Sequence, residues 1–101
     1  RDYDFMGIVR DYLPLNKSSN ILKEDNLDIK GEAIIEVRHK FFKGDLLEIM
    51  GPGIEPFKVK LKYIINENDE VVETAPHPKK LIKIPVDRKV KPYYIVRREK
   101  N

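Results

Sequence analysis

The chain has 101 residues, no cysteine and a formal net charge of +3, and 37% of its residues are charged. This length fits one domain with one modest core. The lack of cysteine excludes disulfides, thiolate metal sites and a cysteine nucleophile, and no apolar run approaches the ~20 residues of a membrane-spanning helix. The chain opens on Arg1-Asp2-Tyr3-Asp4, without an initiator Met or a signal peptide. We therefore expect a fragment of a longer protein, with the cytoplasm as its default location.

Short β-strands are predicted along most of the chain, because apolar and polar residues alternate in several segments. The alternation is clearest from Phe57 to Ile65, where Lys58, Lys60 and Lys62 fall on the polar face. The segment Asn20–Lys30 is compatible with a short helix and equally with a long polar loop. In chain order, the predicted strands are Tyr3–Val9, Ala33–Arg38, Leu46–Met50, Phe57–Ile65, Leu81–Val86 and Tyr93–Val96.

Turn signals separate the predicted strands. Lys43-Gly44-Asp45 is a tight turn, Gly51-Pro52-Gly53 is a loop that a helix does not cross, and Asn66–Glu70 is a polar hairpin turn. Ala75-Pro76-His77-Pro78 interrupts the chain again. Several short strands with a turn signal every ten residues or so indicate an all-β, antiparallel sandwich or barrel. We predict that residues 1–101 form a single domain.

Four sequence pieces, in this order and spacing, carry a family resemblance. They are YDFMGIV at 3–9, EVRHKFFKGDLLEIMGPG at 36–53, APHP at 75–78, and IPV at 84–86 leading into VKPY at 90–93. Together they resemble the C-terminal domain of the collagenase-like peptidases, peptidase family U32. The resemblance covers nearly the whole chain.

The resemblance implies an arrangement of domains. In this family a larger N-terminal α/β domain carries the chemistry, and the C-terminal domain is a small antiparallel β-barrel similar to the second domain of translation elongation factors. Some relatives are described as collagen-degrading proteases, and others are needed for hydroxylating bases in transfer or ribosomal RNA. The partners implied are the N-terminal catalytic domain of the same protein and an RNA or collagen-like polymer, and no cofactor is expected in this domain.

No complete active site is predicted in the sequence. Ser18 and Ser19 have no base nearby in the sequence, and two histidines, His39 and His77, at unrelated positions do not form a metal-binding pattern. Asp45 is expected to bond to turn backbone, and Glu48 to lie on the solvent side of a strand. We therefore predict no catalytic residue and no metal ligand.

Positive charge is concentrated in the second half of the chain. Residues 1–50 hold eight Lys or Arg and ten Asp or Glu, whereas residues 51–101 hold twelve and seven. A converging basic face would hold phosphates, and Tyr93 and Tyr94 would stack on bases. Alternatively, the lysines only solvate an edge strand, or contact the rest of the parent protein. The candidate substrate-binding residues are Lys58, Lys60, Lys62, Lys79, Lys80, Lys83, Arg97 and Arg98.

The aromatic residues are assigned mainly to the core: Phe5, Phe41, Phe57 and Tyr63. Phe42 follows Phe41 directly, so either one ring is exposed or a bend buries both. Two functional hypotheses follow. The first is an accessory module that helps a catalytic domain bind a polymer, with RNA preferred over a collagen-like protein. The second is a structural lid or dimerisation domain that packs on the catalytic domain without binding substrate.

Overall fold

The computed structural model describes residues 2–19 and 28–101. Within these ranges the chain is built from short strands, with a single 3-10 turn at Leu15–Lys17 after the first strand. Residues 20–27, which hold most of the segment left open between helix and loop, lie outside the described ranges. The strands are β1 (Tyr3–Pro14), β2 (Gly31–Val37), β3 (Phe41–Phe42), β4 (Leu46–Met50), β5 (Phe57–Lys60), β6 (Ile64–Ile65), β7 (Val71–Val72), β8 (Thr74–Ala75), β9 (Leu81–Val86) and β10 (Ile95–Glu99).

Eight of these strands form one antiparallel sheet in the order β5-β4-β10-β1-β2-β9-β6-β7, and β3 pairs with β8. Strand β5 lies at one edge of the large sheet and β6 lies beside the opposite edge. Only residues 61–63 connect β5 to β6, so the two edges are held close together. The sheet therefore curls into a half-barrel, and the predicted all-β antiparallel barrel class is confirmed.

The curvature is concentrated in β1, the central and longest strand. Its pairing shifts register between Phe5 and Gly7 against β10, and between Val9 and Asp11 against β2. Bulges of this kind bend a strand and increase its twist. At the first bulge Gly7 lies so close to β2 that an added Cβ would be 2.5 Å from the carbonyl oxygen of Glu36. Glycine at this position therefore allows β1 and β2 to pack together.

The core lies inside the curl and is filled by alternate residues of the strands. Met6 and Val9 from β1 and Ile35 from β2 are fully buried there. Phe41 is fully buried, whereas Phe42 is exposed on the opposite face of β3, as strand alternation requires. The prediction that Phe5 belongs to the core was wrong. Phe5 pairs with Arg97 on the outer face of β1 and is exposed.

The predicted strand Phe57–Ile65 is divided in two. After β5 the chain leaves its pairing with β4, and β6 pairs instead with β7 and β9. The alternation shifts at this bend, so Leu61 and Ile64 both lie in the main core. Continued alternation from Lys58 predicts Ile64 on the polar face, and this prediction is wrong, since Ile64 is fully buried. Tyr63 is buried as predicted, but in a separate small cluster with Ile65 and Ile29.

A buried carboxylate anchors this second cluster. Glu32 is fully buried, and its Oε2 accepts a hydrogen bond of 2.7 Å from the Tyr63 hydroxyl. Its Oε1 accepts hydrogen bonds from the Ser19 backbone N–H at 2.9 Å and from the Ser19 hydroxyl at 3.0 Å. A buried charge is tolerated only when it is well hydrogen-bonded. These three donors therefore fix the chain after β1 against the outside of the half-barrel.

Candidate nucleic-acid interface

Three lysines form a row on the outer side of the edge strand β5, here called the β5 lysine row: Lys58, Lys60 and Lys62. All three are exposed, whereas Val59 and Leu61 between them are buried. Since successive residues of a strand point to opposite faces, the first two charges lie on one face about 7 Å apart. Lys62 continues the row just beyond the end of the strand.

The β5 lysine row carries charge that nearby carboxylates do not neutralise. Among residues 2–19 and 28–101, none of the three lysines is in ion-pair contact with a carboxylate. Three carboxylates lie close to the row. Glu48 on β4 is the cross-strand partner of Lys58 but accepts a hydrogen bond from Arg97, and Asp28 and Asp87 lie beside the lysines. The pKa of Asp87 is lowered mainly by a hydrogen bond from Arg88 and, more weakly, by the charge of Lys62. The row therefore presents a net positive surface to solvent.

A shallow groove runs beside the row. The three lysines share its lining with Asp87 and Val86 at the end of β9, and its volume is about 170 Å³. The connection that follows β9 adds further cations. Arg88 stacks on the ring of Phe57, with its Cζ 4.0 Å from the ring centroid, and Lys89 and Lys91 are exposed. The positive charges of β5 and of the β9–β10 connection therefore lie close together, at the point where Arg88 contacts Phe57.

The second basic cluster, Lys79, Lys80 and Lys83, is largely compensated. Lys80 forms an ion pair with Glu67 at 3.7 Å, and Lys83 forms one with Asp69 at 3.2 Å. Lys79 has no ion-pair contact among the described residues. Two of these three charges are therefore engaged by the β6–β7 hairpin, and we expect this cluster to attract phosphates less strongly than the β5 lysine row.

Arg97 and Arg98 lie in ion pairs that join strands of the sheet. Arg97 donates to Glu48 on the adjacent strand β4 at 2.6 Å and stacks on Tyr3 at 3.7 Å from the ring centroid. Arg98 donates to Asp45 at 2.8 Å and to Asp4 at 3.2 Å. Both guanidinium groups are mostly buried by these contacts, so their geometry is that of residues that stabilise the barrel.

The two tyrosines proposed to stack on bases differ in exposure. Tyr94 is buried, and its ring lies directly against Gly51 at the end of β4. Tyr93 is 80% exposed. It occupies the third position of the turn Lys91–Tyr94, which is closed by a hydrogen bond from the Tyr94 N–H to the Lys91 carbonyl at 3.3 Å. Its φ of +74° lies in the left-handed region that costs a bulky residue ~1–2 kcal/mol. The structure thus selects Tyr93 as the accessible ring.

The remaining polar candidates have structural partners. Asp45 accepts a hydrogen bond of 2.9 Å from the Phe42 N–H, as predicted for a turn aspartate. His39 lies 3.8 Å from Asp4 on the surface. In the parts of the chain that the structure describes, no three His, Asp or Glu side chains come together as metal ligands. The expectation that the domain holds neither a catalytic residue nor a cofactor stays a prediction.

No helix in the described ranges is long and apolar enough to cross a bilayer.

Comparisons with protein sequences give two matches. The family model of the peptidase family U32 C-terminal domain matches residues 1–97. The tRNA hydroxylation protein P1 of Bacillus subtilis (strain 168) is 31% identical over 98 residues, which is 97% of this chain and 20% of that protein. The chain therefore spans about a fifth of the length of this curated relative.

Solved structures share the fold over almost the whole chain, and two of them come from one domain. The C-terminal domain of a U32 peptidase from Geobacillus thermoleovorans superposes with a TM-score of 0.76 and is 30% identical, over 96% of this chain and 93% of that chain. A selenomethionine variant of the same domain gives a TM-score of 0.73 at 28% identity, over 94% of this chain and 99% of that chain.

Proposed function

The chain belongs to the C-terminal domains of peptidase family U32, and on that premise we propose that it is a non-catalytic accessory domain that binds RNA for a separate catalytic domain. The observation that carries the proposal is the β5 lysine row, Lys58, Lys60 and Lys62. These three exposed charges lie beside a groove and are without ion-pair contact among the described residues. Phosphates bind such rows by releasing counterions from the nucleic acid.

RNA is the preferred polymer for two reasons. A net positive, weakly compensated surface suits a polyanion better than a collagen-like protein, which carries no regular array of phosphates. The sequence relative named a tRNA hydroxylation protein supports RNA as the substrate class. Transfer RNA is made and used inside the cell, so the cytoplasm remains the expected compartment. The catalytic domain of the same protein is the expected partner.

The test is a fluorescence-anisotropy titration of the 101-residue chain with labelled tRNA at low and moderate salt. The homologous Geobacillus domain was crystallised by itself, which supports the use of the isolated chain. We expect a dissociation constant of ~1–100 μM, typical of non-specific binding. Each lysine–phosphate contact contributes about one unit to the slope of log affinity against log salt, so K58Q/K60Q/K62Q is expected to reduce the slope by ~2–3.

The matched control is K79Q/K80Q/K83Q, which removes the same number of positive charges from the second basic cluster. Since Lys80 and Lys83 are already paired, this variant should retain most of the affinity. Equal losses in both variants would show a response to net charge alone. The absence of binding up to ~100 μM protein at low salt would exclude RNA capture by this domain.

A docking role is the second candidate, and the exposed apolar side chains at the β3–β4 turn favour it. Phe42 and Leu46 flank this turn and are 43% and 53% exposed. Burying such side chains against the catalytic domain, or against a second copy of the chain, would give a lid or a dimerisation domain. If the chain does not bind RNA but co-elutes with the separately produced catalytic domain in size-exclusion chromatography, the docking role is supported instead.

A further inference from the structure

Three turns of the chain share one geometry, in which a proline is followed by a residue with positive φ. They are Gly51–Ile54, His77–Lys80 and Lys91–Tyr94, each closed by a hydrogen bond from the fourth N–H to the first carbonyl. The third residue has a φ of +74° at Gly53, +71° at Lys79 and +74° at Tyr93. Type II turns of this kind favour glycine at the third position.

Tyr93 is the most unusual of these residues. Glycine adopts this backbone without steric cost, and lysine has a slender side chain, but a tyrosine at positive φ is a true outlier. The ring gains little packing in return, because it is 80% exposed. The backbone is held in this conformation by the sheet, because the Tyr93 N–H donates to the Val9 carbonyl at 2.7 Å. The fold therefore accounts for the turn but not for an exposed aromatic side chain at its third position, and that side chain points to a contact outside the folded chain.

The position of Tyr93 connects it to the groove. The β9–β10 connection starts at Asp87, which lines the groove with the β5 lysine row, and Tyr93 lies six positions further along the chain. Fully extended, six residues span ~22 Å, so the ring lies within that distance of the groove. A strand of about six stacked nucleotides covers this length.

We propose that Tyr93 is a stacking platform for an unpaired nucleobase of an RNA whose phosphates lie along the β5 lysine row. Aromatic rings bind any base through its π-face, so the site recognises unpaired bases with little sequence preference. Lys89 and Lys91, exposed on the same connection, are placed to contact the neighbouring phosphates. The proposal rests on the proposed RNA-binding function and adds to it a preference for unpaired over paired RNA.

The test uses two RNAs with the same number of nucleotides. One is a hairpin with 2-aminopurine in its unpaired loop, and the other is a blunt-ended duplex with 2-aminopurine in a base pair. Binding is followed by anisotropy, and stacking by quenching of 2-aminopurine fluorescence. The variants are Tyr93→Gly, which suits the turn, and Tyr93→Phe, which keeps the ring. Tyr93→Gly should bind the loop RNA about 5-fold to 150-fold more weakly, the effect of losing one stacked base. Its unfolding midpoint should stay the same or rise, since glycine relieves the positive φ.

The two readouts separate the possible outcomes. Tyr93→Phe should quench 2-aminopurine as the wild type does, and the paired RNA should bind all three chains alike. Wild-type affinity of Tyr93→Gly for the loop RNA, with salt-dependent binding retained, would overturn the stacking site and leave the accessory RNA-binding function standing. If the wild-type chain binds neither RNA, both proposals are overturned.

Discussion

The hydrogen bond between Tyr63 and Glu32 gives a direct test of what holds the second cluster in place. Tyr63→Phe removes one hydroxyl and leaves Glu32 Oε2 without the donor that lies at 2.7 Å. The carboxylate is fully buried, and a hydrogen bond to a charged group contributes ~1.5–3 kcal/mol. We therefore expect a loss of about 2 kcal/mol in the free energy of unfolding. For a chain of this size the loss corresponds to roughly 8–16 °C in Tm.

Urea denaturation followed by circular dichroism measures this loss. With a slope of ~1–3 kcal/mol/M, the midpoint should fall by roughly 0.7–2 M. Tyr93→Phe is the matched control. It removes the same atom from an exposed ring and should change stability by less than ~0.5 kcal/mol. A loss below that limit for Tyr63→Phe would refute the argument that the hydroxyl supports a buried charge.

The same pair predicts how stability changes at high pH. Burial raises the pKa of Tyr63 above its usual value of 10.0, and the hydrogen bond to the Glu32 carboxylate raises it further. The folded state thus keeps a proton that the unfolded state loses above about pH 10. The stabilisation is fully present below pH 10 and is lost as the pH rises further. Tyr63→Phe lacks this loss, so the difference in stability between the two chains should narrow between pH 9 and pH 11.

Two more predictions concern the strand β1 and the surface carboxylates. Gly7→Ala places a Cβ 2.5 Å from the Glu36 carbonyl oxygen. It should therefore lower the free energy of unfolding, measured in urea, by ~1–3 kcal/mol. An unchanged free energy of unfolding would contradict the close packing of β1 and β2. Partial burial alone would raise the pKa of Asp4, but the hydrogen bond from Arg98 and the charges of His39, Lys100 and Arg98 together outweigh it, and the pKa is lowered. The hydrogen bond from Arg10 is the main cause that lowers the pKa of Glu36. Carboxylates with lowered pKa stabilise the fold above about pH 4 and lose that contribution as the pH falls further. The urea midpoint should therefore drop between pH 5 and pH 2.5. A constant midpoint would exclude these ion pairs as a source of stability.

The alternation of apolar and polar residues, together with the turn residues, was sufficient to predict the positions of the main strands. The segments Leu46–Met50 and Leu81–Val86 match β4 and β9 to the residue, and the Asn66–Glu70 turn joins β6 to β7. Period-two alternation and turn residues act over a few positions, so a single sequence carries them. The bend at residues 61–63 was missed because it depends on which strands β5 and β6 pair with, and strand pairing is not a local property.

For the basic residues, too, local spacing predicts exposure, whereas ion-pair partners depend on the tertiary structure. The exposed face of Lys58 and Lys60 follows from alternation alone, and the structure keeps both in solvent. The ion pairs of Arg97 with Glu48 and of Arg98 with Asp45 join residues about fifty positions apart. Sequence spacing does not predict which residues pair over such a distance. The number of charges is therefore known from the sequence, whereas the packed sheet determines which of them form ion pairs.

The sequence by itself determined the all-β class, the positions of the main strands and turns, and a surplus of lysine in the second half, because these depend on residue type and short-range spacing. Only the tertiary structure decided the curl of the sheet, the burial of Tyr94 and the exposure of Tyr93, because these depend on contacts between distant segments. The left-handed backbone of Tyr93 belongs to the same group. A bulky residue adopts that conformation only where the packing of the neighbouring strands leaves the turn no alternative.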